Sequence, residues 1–227
     1  MADLGGLRGT AIALVQHYHS TPHLFAAEHF ARLAKDFEDT HADKAQRIYL
    51  QHRAYVMGSI MEAVAFLESY INEIYQCAQD GKGSAISGLS ESVVTRLGLL
   101  WPQLERSPIL DKYAAARAIG DLAPVDRGRR PHDDVTYLLK LRNWLVHNKP
   151  RAVGEGSPHK IIDHVRGRFA ENPLLPEMGK DSWFPDKALS AGCAEWAVES
   201  ARSFVEKFID DLGGTRSHHR LIHDEQA

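Results

Sequence analysis

The chain has 227 residues, 44% apolar and 25% charged, and its 27 Lys and Arg against 30 Asp and Glu leave a formal net charge of -3. That balance excludes a mostly disordered polymer and gives no global signature of nucleic-acid binding, while the length favours one main helical core over two independent ones. Uninterrupted apolar runs fall well short of the roughly 20 residues of a membrane span, and the run at residues 11–15 is too short for a secretory signal, so no membrane association and a cytoplasmic setting are expected.

The first amphipathic helix is predicted to start at Thr21 and Pro22, with Phe30, Leu33, Ala34 and Phe37 at helical spacing to about Asp39. Thr40, with Asp43 three residues on, resembles a capping box, and the period then persists from Ile48 through Val56, Ile60, Val64, Leu67, Ile71 and Ile74 to Ala78. One very long helix is therefore expected from there to Asp80, kinked if anywhere at Gly58 and stopped by Gly81 and Gly83. Ser90 opens a shorter helix through Leu97, and Ser107-Pro108 opens another that ends at Gly120. Pro131 reads as a first-turn proline. Behind it Asp133 and Asp134 suit a helix N-terminus, and Val135, Leu138, Leu139, Arg142, Leu145 and Val146 trace one face up to a stop at Pro150.

Residues 151–185 are rich in Gly, Pro and charge, and they read as a long irregular excursion broken only by Ile161, Ile162 and Val165. The last helix is expected over residues 186–212, with Leu189, Cys193, Trp196, Phe204, Phe208 and Leu212 on its apolar face and Gly213-Gly214 as its stop. Cys77 and Cys193, the only cysteines, fall inside helical patterns and read as buried thiols rather than a disulfide. No strand alternation or internal repeat occurs. The expected fold is all-α: a helical bundle over residues 42–212, an N-terminal helical extension over residues 1–41 and a flexible tail over residues 213–227.

Charge is unevenly spread, with ten Lys and Arg against four Asp and Glu over residues 127–168. Such a basic segment on an acidic chain suits a phosphate footprint or a solvated surface. Inside it lies Leu141-Arg142-Asn143-Trp144-Leu145-Val146-His147. At about 100° per residue Arg142 and His147 lie about 140° apart and Asn143 about 40° from His147, so the three polar groups flank one sector of the helix. A helix C-terminus favours a protonated imidazole, a form suited to general-acid work. Spacing alone favours a structural arrangement in which Arg142 pairs with a carboxylate such as Glu62 or Glu68 on a neighbouring helix and His147 caps a helix end.

Thirteen histidines invite a metal reading, but His19 with His23 and His219 with His223 lack a convincing acidic partner, and Glu38-Asp-Thr-His41 occurs once where a dimetal bundle needs two such motifs. No metal and no cofactor are expected. Gly-rich phosphate loops, serine elbows and paired Cys-x-x-Cys motifs are missing from the sequence. The four tryptophans are better placed for packing than for base stacking.

The Leu-Arg-Asn-Trp-Leu-Val-His segment resembles the signature of the HEPN superfamily, an arginine, a polar residue and then a histidine a few places on. The flanks Asp-Arg-Gly-Arg-Arg-Pro-His-Asp-Asp and Asn-Lys-Pro, the Leu67–Glu73 stretch, Lys112-Tyr113 and the Cys193–Trp196 stretch extend that likeness over residues 42–212. The resemblance implies a HEPN-like bundle that often dimerises and, in many members, cleaves RNA without metal in toxin-antitoxin or phage-defence systems. By that analogy Arg142, Asn143 and His147 are catalytic, Arg129, Arg130, Lys149 and Arg151 contact RNA, and a separately encoded antitoxin or regulator is a possible partner. The alternative within the same resemblance is a non-catalytic module that binds a nucleotide, RNA or a protein. The N-terminal helices, the excursion and the missing nucleotidyltransferase motif depart from the paired-toxin pattern.

Overall fold

A computed structural model describes residues 17–42, 48–147, 159–176 and 183–216. These form seven helices and no strand, an all-α bundle as the periodicity predicts. The first helix, α1 (Ser20–His41), starts where Glu73 of the next helix accepts the His19 and Ser20 backbone N–H groups at 2.7 and 2.8 Å. A carboxylate on neighbouring backbone thus satisfies donors that no local cap reaches. Its inner face is Leu24, Ala27, Ala31 and Ala34, and those small side chains let the backbone come close to its neighbour.

That neighbour, α2 (Leu50–Asp80), is shorter than the sequence suggests. Thr40 does not open it. Its hydroxyl instead donates to the Asp36 carbonyl at 2.7 Å inside α1, and the new helix begins after an extended Tyr49. Residues 43–47, which include Asp43, lie outside the described residues. The 31 residues of α2 span about 46 Å. Gly58 marks a close approach: a Cβ there would stand 3.0 Å from the Phe30 ring of α1. Gly81, at φ 65°, ends the helix as predicted. By length and hydropathy α2 is the one described helix able to cross a membrane, yet it is the central helix of the bundle, and Ile60, Phe66, Leu67 and Ile74 are wholly enclosed.

Helices α3 (Glu91–Leu104) and α4 (Ile109–Ile119) cover the C-terminal half of α2. Ser90 caps α3 through the Val93 N–H, Trp101 stacks on Tyr75 at 5.4 Å, and the Tyr113 hydroxyl donates to the Leu67 carbonyl at 2.8 Å. Helix α5 (His132–His147) follows a cis Arg130–Pro131 bond, and α6 (His159–Val165) is short. The final helix, α7 (Ala191–Leu212), starts five residues later than the apolar pattern suggests, because residues 186–190 make a turn in which Leu189 donates to the Pro185 carbonyl and Ser190 caps the Cys193 N–H at 3.0 Å.

The expected excursion is partly built into the core. Leu174, Leu175, Trp183 and Phe184 are buried, and the Lys187 ammonium donates to the Asn172 and Leu175 carbonyls at 3.0 and 2.7 Å. Helix α1 likewise shares one apolar cluster with α2 and α7. Both cysteines are buried and unpaired with each other. Burial of each large apolar side chain in this cluster contributes about 1.5–3 kcal/mol.

Candidate functional site

The motif helix α5 is anchored on one face and open on the other. Val135, Leu138 and Leu141 are buried against α2 and α7, while Trp144 meets the ring of Phe184 edge-on at 4.5 Å. Asp133 and Asp134 sit in the first turn, as the helix dipole favours, and both are held by Arg168, with a 2.6 Å contact from Asp133. Since Phe184 lies two residues before Asp186, and Asp186 pairs with Arg53, the C-terminal end of α5 shares an end of the bundle with the start of α2.

At that end Arg142 is half-buried, and Asn143 and His147 are exposed. The Nε of Arg142 is enclosed with no hydrogen-bond partner among the described residues. Arg142 does not pair with Glu62 or Glu68: Glu62 accepts His23 at 2.6 Å, and no ion pair joins Arg142 to either carboxylate. Asn143 and His147 are i,i+4 neighbours on one open face, with β-carbons about 6 Å apart. Lys140, three residues before Asn143, is exposed on the same stripe, its ammonium 4.2 Å from the centre of the Tyr137 ring. His164 stacks on the Tyr137 ring at 3.9 Å, which brings α6 alongside the stripe.

The predicted RNA-contacting residues are placed differently. Arg129 and Arg130 precede α5, a helix about 24 Å long, so they stand at the end opposite His147. Arg129 pairs with Asp126 at 3.1 Å and Arg130 with Asp134 at 3.2 Å, both with largely exposed guanidinium groups. Lys149 and Arg151 lie outside the described residues, as do His219 and His223. Among the described residues no three His, Cys, Asp or Glu side chains gather as a metal site.

Two hollows also lie at the start of α5, around Arg117, His132 and Phe204. Sequence reading placed Phe204 only on the apolar face of the last helix and gave none of these residues a site role, since Arg117 and Phe204 come from α4 and α7 and meet only through tertiary packing. No protein-family model, curated protein or solved structure matches the chain.

Proposed function

We propose that the chain is a metal-independent endoribonuclease of HEPN type, with Arg142, Asn143 and His147 as its reacting site. The observation that carries the proposal is Arg142: a partly enclosed cation with no carboxylate partner among the described residues, beside an exposed amide and an exposed imidazole. A guanidinium left without a counterion suits an incoming phosphate.

In the proposed reaction the RNA 2'-oxygen attacks the adjacent phosphorus, the P–O5' bond breaks, and the products end in a 2',3'-cyclic phosphate and a 5'-hydroxyl. The 2'-hydroxyl proton leaves to a base and the 5'-oxygen gains one from an acid, and His147 supplies one of these roles. Arg142 stabilises charge on the phosphoryl oxygens, and Asn143 orients the phosphate. The motif supplies one histidine per chain, so a second copy with its α5 facing the first would supply the other role, which makes a homodimer part of the proposal. A separate antitoxin or regulator, a toxin or defence role and a cytoplasmic setting belong to the same reading.

The test is cleavage of end-labelled RNA by the purified protein in EDTA, wild type against His147→Ala. The variant should lose on the order of 100-fold or more in rate. A folded wild type without cleavage, or a variant that cuts normally, removes the nuclease reading and leaves the non-catalytic binding module.

A further inference from the structure

Two hollows lie side by side at the start of α5. Their volumes are 360 and 460 Å³, within the usual range of small-molecule sites, and they share Arg117, Pro124, Val125, His132 and Phe204. The connection between α4 and α5 passes over them. Arg117 holds that connection in place, its Nη1 donating to Asp211 at 2.7 Å and its Nη2 to the Ala123 carbonyl at 3.1 Å. The lining is partly aromatic: the His132 ring meets Phe204 edge-on at 6.0 Å, and Phe208 also lines the first hollow.

The rim carries five Lys and Arg against four Asp, and of those acids Asp111 alone has no ion pair among the described residues. Asp211 is shared by Arg117 and Lys207, and Asp133 is held by Arg168. Arg127 has no ion pair among the described residues, while Arg129 is 84% exposed and holds only Asp126, an exchangeable surface contact. An apolar floor under one unpaired guanidinium group, Arg127, and one held only by an exposed carboxylate, Arg129, suits a ligand that is flat and apolar at one end and negative at the other.

We propose that these two hollows act as one cleft that binds a small aryl anion, an aromatic carboxylate or phosphate, with the ring against Phe204, which lines both, and the charge between Arg127 of one hollow and Arg129 of the other. The site is at the far end of α5 from His147, so it stands whether or not the chain cleaves RNA. His132 provides an internal reporter. Burial, and then the charge of Arg127, hold its pKa below the usual 6.5, Arg117 adds to that effect, and Asp133 opposes it. A bound anion offsets the two arginines and raises that pKa.

The experiment is titration of the intact protein with 2-naphthoate, 2-naphthyl phosphate, 2-naphthol and inorganic phosphate, read by calorimetry and by the NMR titration of His132. Both naphthyl anions should bind and raise the His132 pKa, with naphthol and inorganic phosphate at least about tenfold weaker. Arg127→Ala with Arg129→Ala removes two exposed side chains, which leaves the fold intact, and should weaken the anions about tenfold while leaving naphthol unchanged. A folded protein that binds neither naphthyl anion at about 1 mM overturns the proposal. Equal binding of naphthol, or anion affinity unchanged in the double variant, overturns it as well.

Discussion

A guanidinium whose Nε is enclosed without a partner costs stability, on the order of 1–3 kcal/mol for an unsatisfied buried donor. Arg142 is such a group, and the cost makes sense if the cation is held for a ligand. Arg142→Met keeps the aliphatic stem and removes the unpaired polar atoms. The expected outcome is a melting temperature equal to or above wild type together with loss of RNA cleavage, measured on the same preparation. A large drop in stability would instead mean that Arg142 serves the fold. His147→Ala should shift stability by no more than about 0.5 kcal/mol, because the side chain is exposed. At this scale the sequence was informative about residue identity and silent about partners: the spacing marked Arg142 and His147, but the engagement of Glu62 by His23 appears only once α1 lies on α2.

Elements are tied together by a few buried polar groups. Glu38 of α1 accepts His52 of α2 at 2.9 Å and the Ala191 N–H at the start of α7 at 2.7 Å, so one carboxylate joins three helices. Glu38→Ala leaves a buried imidazole and a helix-terminal donor unpaired and should cost about 2–4 kcal/mol in denaturant unfolding, with Glu38→Gln costing less. Helix contact is equally exacting at Gly98, where a Cβ would lie 2.7 Å from the Ala78 carbonyl oxygen and 2.9 Å from the Gln79 Cα. Gly98→Ala must separate α3 from α2 and should cost about 1–3 kcal/mol, whereas Gly58→Ala meets only the edge of a phenyl ring and should cost less. Helix interiors and glycine stops were legible in the sequence because periodicity and left-handed backbone are local properties. Helix starts were less so. The Thr40-x-x-Asp43 pattern mimics a cap, yet α1 continues through Thr40, and the α7 pattern runs on into a turn because Leu189 is buried from outside the helix.

Across the whole molecule, α5 links a candidate reacting site at one end to a cleft at the other, and its ends respond to different conditions. At the cleft end, the depressed His132 pKa carries a sign for stability. Above pH 6.5 both folded and unfolded states are neutral there. Below it the unfolded chain takes up the proton first, so stability falls as the pH drops from 6.5 toward the lower folded value. Unfolding at pH 7.5 and 5.5 should therefore show a smaller acid-induced loss for His132→Gln than for wild type. The placement of Arg129 and Arg130 far from His147 also bears on substrate length: a strand rising about 3.4 Å per nucleotide needs about seven nucleotides to reach them. Their replacement should raise KM for long RNA and leave very short RNA unaffected. The helical class was readable from composition and period alone, while the basic segment was readable only as a charge excess, because folding sends its arginines to opposite ends of one helix. In the proposed reaction the exposed end of α5 cleaves RNA through its own side chains. It is tested most directly by incubating 5'-labelled RNA with wild type and His147→Ala in EDTA and identifying the 3' ends. Wild type should leave 2',3'-cyclic phosphate ends and the variant uncut RNA, whereas cyclic ends made equally by both proteins would rule out catalysis by His147.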